Sequence, residues 1–115
     1  MTTMVYKVLP AALWRSARAA GRFAGSSDDM RDGFIHFSTA AQLPGTLAKF
    51  FDGQSDLMLL AIRTADLGDQ LRWEASTGGT LYPHLYADLA VAAVDREWPL
   101  ALDADRYHRL PTDLT

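Results

Sequence analysis

The chain has 115 residues, a net charge of −3 and no cysteine. That length is one domain, spanning 1–115, and buries about two-thirds of its unfolded surface, while 49% hydrophobic and 22% charged residues give an ordinary globular balance. The charge argues against nucleic acid or an anionic membrane as partner, and the missing thiols exclude disulfides, thiolate nucleophiles and Cys-type zinc sites, which fits a reducing cytoplasm.

Met1-Thr2-Thr3-Met4 has no basic region followed by an apolar core, so no signal peptide is expected. No apolar run approaches the ~20 residues of a membrane span. Met4 to Leu9 alternates as a first strand, with Val5, Lys7 and Leu9 on one face and Tyr6 and Val8 on the other. Pro10 suits the start of a helix over about 11–20, and Gly21 its stop. Leu13, Trp14, Ala17 and Ala20 fall on its core stripe; Arg15, Arg18 and Arg22 form a solvated stripe. Ser26 and Asp29 have capping-box spacing for a single helical turn, and Asp32-Gly33 marks a turn. Phe34 to Phe37 is a short strand. Ser38 or Thr39 is a candidate N-cap, and Gln42 completes a second capping box with Thr39; Pro44-Gly45 interrupts the pattern, giving a first turn and then a helix reaching Phe51, with Leu43, Leu47, Phe50 and Phe51 as the apolar stripe.

Leu57 to Ile62 is continuously apolar, as a central strand covered on both faces is. Leu71 to Ala75 alternates, which puts Leu71, Trp73 and Ala75 inward and Arg72 and Glu74 on the other face. Ser76-Thr77-Gly78-Gly79-Thr80 is a loop or hairpin turn. Tyr82 to Tyr86 and Val91 to Trp98 are further strands, and Tyr107-His108-Arg109 an edge strand. The fold class is α+β, with two main helices in the N-terminal half and a β-rich second half.

Two stretches carry the chemistry. In Phe34-Ile35-His36-Phe37-Ser38, an extended chain puts Phe34, His36 and Ser38 on one face. In Tyr82-Pro83-His84-Leu85-Tyr86, it puts Tyr82, His84 and Tyr86 on one face. The expectation is that the two faces meet across a cleft, with Glu74 nearby. His36 and Ser38 have the His-x-Ser form that two-histidine phosphoesterases use in duplicate; His84-Leu85-Tyr86 lacks the second hydroxyl. Helix capping is the competing role for Ser38 and Thr39, a half-buried structural ring that for His36, and a surface pair with Arg72 that for Glu74. Tyrosines beside His84 can hold its tautomer or stack on a flat ring. His36, His84 and Glu74 are suitable zinc-ligand types, but no sequence-local ligand pair supports a metal site.

Val5-Tyr6-Lys7-Val8, Gly33 through Thr39 with Gln42, Gly53-Gln54-Ser55-Asp56-Leu57, Leu71-Arg72-Trp73-Glu74 and Gly79 through Tyr86 together resemble a small bacterial family, domain-of-unknown-function family 952. Proteins of this family look like compact relatives of the ADP-ribosyltransferase fold, which implies two small packed β-sheets around a nicotinamide-dinucleotide cleft. The outline is similar to that of the RNA 2′-phosphotransferases. By position, the resemblance implies that Lys7 meets phosphate and that Phe37-Ser38-Thr39 matches the aromatic-Ser-Thr segment. The transferase glutamate has no motif-level match; Glu74, His84 or neither takes its role.

The combined expectation is a cytoplasmic protein with a nucleotide- or NAD-binding cleft and ADP-ribosyl or 2′-phosphate transfer chemistry. His36, His84 and Glu74 form its reactive centre. Lys7, Ser38, Thr39, Tyr82 and Tyr86 bind the ligand. A non-enzymatic binding module and a metal-dependent hydrolase are the alternatives. NAD is the cofactor the resemblance implies, and a monomer is the default oligomeric state.

Overall fold

The computed structural model describes residues 3–76 and 78–114. Met1 and Thr2 of the start and Thr77 of the glycine loop lie outside the described residues. The architecture is α+β with antiparallel sheets. Strand β1 (Met4–Pro10) leads into helix α1 (Ala11–Ala20), which Gly21 ends in the left-handed conformation. Strand β2 (Arg22–Phe23) precedes helix α2 (Ser27–Asp32), whose capping box is formed in both directions between Ser26 and Asp29. Strand β3 (Ile35–His36) and helix α3 (Leu43–Phe50) follow. The second half holds β4 (Leu57–Arg63), β5 (Leu71–Ala75), β6 (Leu81–Leu85), β7 (Leu89–Ala90), β8 (Val94–Leu102) and β9 (His108–Arg109).

The strands form a four-stranded sheet in the order β1-β4-β8-β9, a three-stranded sheet β3-β6-β5 and a two-stranded ribbon β2-β7. The β4 run is apolar because both its faces are covered. Leu60 and Ile62 pack with Val5 and Leu9 of β1, Trp14 and Ala17 of α1, and Ile35 and Leu85 of the smaller sheet. Leu57, Leu59 and Ala61 pack on the other side with Tyr6, Val8 and the α3 residues Leu43 and Leu47. At about 25 cal/mol per Å² of apolar area, these two layers are the main source of stability.

The chain crosses between the sheets at Phe37-Ser38. The Phe37 N–H donates to Pro83 O at 3.0 Å, on the smaller sheet. Ser38 exchanges backbone hydrogen bonds of 2.8 and 2.9 Å with Tyr6 on β1. This crossing holds the two sheets beside one another.

Several expectations are corrected. Three helices lie in the N-terminal half among the described residues, since the single turn at Ser27 extends to six residues. A third, two-stranded ribbon accompanies the two sheets. Val91–Ala93 is a 3-10 turn, so β8 starts at Val94. Leu13 and Ala20 of α1 and Phe50 of α3 are exposed rather than core. Trp73, 42% exposed, and Ala75 are exposed rather than inward, on the outer strand of their sheet.

Candidate functional site

Beside the crossing lies a cleft of about 450 Å³, walled by β1, α2, β3, the first and last turns of α3, and β6. His36 and His84 both line it. They are register partners on β3 and β6, and their ring centroids are 5.6 Å apart, edge to face. The two histidine faces therefore do not oppose one another from separate sheets. They stand side by side on one sheet, and the cleft opens over them.

Asp29 is the polar centre of the site, and it was not among the residues expected there. It is 2% exposed. Its Oδ2 accepts from Lys7 Nζ at 2.9 Å and from the Ser26 N–H at 2.9 Å. Its Oδ1 lies 2.6 Å from His36 Nδ1 and accepts the His36 N–H at 3.1 Å. Burial pulls the carboxyl up, but the His36 hydrogen bond, the Lys7 charge and the Ser26 N–H outweigh it and hold Asp29 well below the usual carboxylate range. The Lys7 ammonium is itself lowered, because burial outweighs the Asp29 charge beside it. Charge and geometry together favour an ion pair whose carboxylate is firmly ionised. An ionised carboxylate only accepts, so His36 Nδ1 carries the hydrogen. The other ring nitrogen, Nε2, lies 2.9 Å from Asp32 Oδ2 at the end of α2.

His84 has a separate partner. Its Nδ1 lies 2.8 Å from Glu74 Oε1, which also accepts from the Tyr86 hydroxyl at 2.6 Å. The hydrogen bond from Tyr86, then that from His84, hold the Glu74 carboxyl below its ordinary range, and Glu74 raises the Tyr86 phenol in return. The Phe34 ring stacks on His84 with centroids 4.0 Å apart. His84 is only 8% exposed, yet no buried side-chain nitrogen or oxygen among the described residues lacks a partner. Its Nε2, which has none, therefore keeps contact with solvent at the cleft wall. A carboxylate on one ring nitrogen leaves the other as the working nitrogen, able to take or give a proton.

The remaining expected residues divide. Tyr82 lines the cleft, as does Ser38, whose Oγ lies 2.8 Å from Thr46 Oγ1 on α3. Lys7 lines it too, but its ammonium is turned to Asp29 rather than left for a phosphate. Thr39 is a correction: it is not part of the cleft wall. Its Oγ1 accepts the Gln42 N–H and its own N–H donates to Gln42 Oε1, so its polar groups are used in capping. Glu74 and Tyr86 also stand outside the wall, behind His84. Lys49 and the 57% exposed Phe50 add a cation and an aromatic face from the last turn of α3. The sequence marks Asp29 only as a cap; His36, seven residues on, stands on β3 while Asp29 stands on α2, so no period within one element joins them. Among the described residues no three His, Asp or Glu side chains converge to hold a metal ion.

A family model described as "Protein of unknown function (DUF952)" matches residues 8–97. The crystal structure of protein CC0527 from Caulobacter crescentus is 50% identical, with a TM-score of 0.89, covering 93% of this chain and 94% of that one. Its solution NMR structure is 51% identical, with a TM-score of 0.82 and 90% of each chain covered. No curated protein matches the chain.

Proposed function

The chain belongs to the DUF952 family, and we propose that its cleft binds a nucleotide or NAD-type ligand and carries group transfer at the ribose or its phosphate. One observation supports this above the others: His36 and His84 stand side by side at the wall, each with its Nδ1 against a carboxylate. A carboxylate-oriented histidine is an acid/base group set to move a proton at a reacting oxygen. The volume of about 450 Å³ suits a small molecule rather than a polymer. Tyr82 and Phe50 offer flat faces to a base or nicotinamide, and Lys49 offers a cation to phosphate.

In this reading the ADP-ribosyltransferase-like outline is the two sheets meeting at Ser38 beside the cleft. Phosphate-directed chemistry suits the wall better than ADP-ribosyl transfer. A ribose cation needs a carboxylate facing it, and Glu74 lies behind His84. In the favoured step an attacking oxygen gives its proton to His84 Nε2 as it bonds to phosphorus, and the leaving oxygen takes a proton from solvent, since both ring nitrogens of His36 face carboxylates. The second reading is a binding module without turnover; the mutual neutralisation of Lys7 and Asp29 favours it.

The test is a histidine-detected NMR titration with NAD, ADP-ribose and a 2′-phosphorylated nucleotide. Saturable shifts of His36 and His84 together with one ligand support the reading and name the reaction to assay. Silence of both rings at millimolar ligand overturns it.

A further inference from the structure

Strand β5 is the outer strand of its sheet, and its free edge has a definite hydrogen-bonding parity. The Ser76 N–H donates to Thr80 O and the Tyr86 N–H to Gln70 O, so residues of even number turn their backbone groups toward β6. Pro83, with no N–H, sits opposite Trp73, where none is needed. Leu71, Trp73 and Ala75 therefore present their N–H and C=O groups to the open edge. On one face of this edge Trp73 is 42% and Leu81 52% exposed, both on the Pro83 side of the sheet. On the other face stand Arg72 and Glu74. Arg72 lies over the Tyr86 ring, at 5.0 Å, and has no ion-pair partner among the described residues.

We propose that this edge is a self-association surface, on which β5 pairs antiparallel with β5 of a second copy about a two-fold axis at Trp73. Parity selects this register. Only residues with outward backbone groups can face one another, so the axis passes through residue 72, 73 or 74 if overlap is to stay near maximal. An axis at 72 sets Arg72 against its own copy, and one at 74 sets Glu74 against its own; like charges directly opposite are unfavourable. The axis at Trp73 sets Arg72 opposite Glu74 of the second copy at both ends, as non-hydrogen-bonded pairs about 4.5 Å apart at Cα. The same register pairs Trp73 with its counterpart and Leu71 with Ala75, each exchanging backbone hydrogen bonds, and covers the exposed indole. The sequence Leu71-Arg72-Trp73-Glu74-Ala75 is a charge palindrome read in antiparallel, which is what an isologous interface requires. The two three-stranded sheets then become one continuous sheet, by the strand-addition mode of recognition.

Sedimentation equilibrium across a wide concentration range tests this on the full chain. A monomer–dimer equilibrium is expected for the natural sequence, with Trp73 fluorescence blue-shifting as dimer forms. Arg72→Glu places like charges opposite at both ends and should weaken association about tenfold or more. Arg72→Glu with Glu74→Arg restores complementarity and should recover the dimer. Glu74 also holds His84, so Trp73→Lys, which charges the free edge, is the second variant: it should melt cooperatively as a monomer. A natural chain that stays monomeric up to millimolar concentration overturns the proposal. So does a dimer that neither Arg72→Glu nor Trp73→Lys weakens, or protection of Trp73 by a different protein alone.

Discussion

Asp29 Oδ1 sits 2.6 Å from His36 Nδ1, and the same carboxylate holds Lys7 Nζ at 2.9 Å through its other oxygen. One side chain thus joins the short helix α2, the first strand and the cleft histidine. Its second oxygen also closes the α2 capping box at the Ser26 N–H. Whatever ligand the cleft takes, the position of His36 depends on Asp29.

Asp29→Ala should therefore be among the most damaging substitutions outside the apolar core. It leaves the Lys7 ammonium, 5% exposed, without its partner. Breaking a buried pair from one side costs about 3–5 kcal/mol. The reciprocal half of the capping box, the Ser26 N–H donated to Asp29, is lost as well, while the Ser26 cap on the backbone N–H of residue 29 remains. Urea unfolding followed by circular dichroism measures the sum. Replacing Lys7 with Met in the same background should recover much of the loss, because the uncompensated charge goes with it.

The same carboxyl sets an acid limit on stability. Its folded-state pKa lies below the unfolded value, so the folded chain binds fewer protons and stability rises with pH through the window between them. The contribution is fully present above the ordinary aspartate range, near 3.8, and is lost as pH falls through that range toward the depressed value. Asp29→Asn should flatten this acid limb. Thermal melts between pH 2 and pH 6 should show the natural chain losing midpoint steeply below about pH 4 and the variant much less.

Much of this architecture is legible in the chain, and the exceptions have physical causes. Pro10 and Gly21 bound α1 because one lacks the N–H a helix start does not need and the other takes the left-handed turn at φ 84°. The continuous apolar run in β4 reports burial on both faces. The shared face of Phe34, His36 and Ser38 follows from strand alternation, but the pairing of His36 with His84 across β3 and β6 is a tertiary fact. The ribbon β2-β7 has two residues per strand, too few to carry any period. Trp73 alternates with its neighbours as a core residue does, yet it is 42% exposed on an outer strand, a placement that strand alternation does not carry. Asp29 is the clearest case, since the capping spacing that marks it says nothing of Lys7, 22 residues away.

Glu74 should fix the His84 tautomer. Its Oε1 accepts from both Nδ1 and the Tyr86 hydroxyl, so His84 carries hydrogen on Nδ1 and offers Nε2 to the cleft. Ring ¹⁵N shifts of the natural chain should show the Nδ1–H form. Glu74→Ala should shift the population toward Nε2–H, and Tyr86→Phe should leave the tautomer in place. Tyr86→Phe should instead raise the Glu74 carboxyl toward its ordinary value, because the phenol hydrogen bond is the largest influence holding it down. Carboxyl ¹³C titration reads that shift; an unchanged Glu74 in Tyr86→Phe would show that the phenol does not donate to it.

Two glycines, one against Asp29 and one lining the cleft, should respond to alanine in opposite directions. Gly25 has φ 122°, outside the region open to other residues, and a Cβ there would come within 2.8 Å of Asp29 Cβ. Gly25→Ala must strain its own backbone and push the Asp29 hub off Lys7 and His36, a loss of about 1–3 kcal/mol from the backbone alone. Gly45 lies inside α3 with nothing within 4 Å of the place its Cβ would occupy, and that space belongs to the cleft. Alanine is preferred to glycine in a helix by about 0.5–1 kcal/mol, so Gly45→Ala should raise the melting temperature. The fold does not require glycine at 45, and a ligand resting on that turn does need the room. Gly45→Leu should accordingly keep the stability of a helix-favouring residue and lose whatever ligand moves the histidine signals, and a Leu variant that binds as well as the natural chain would place the ligand away from α3.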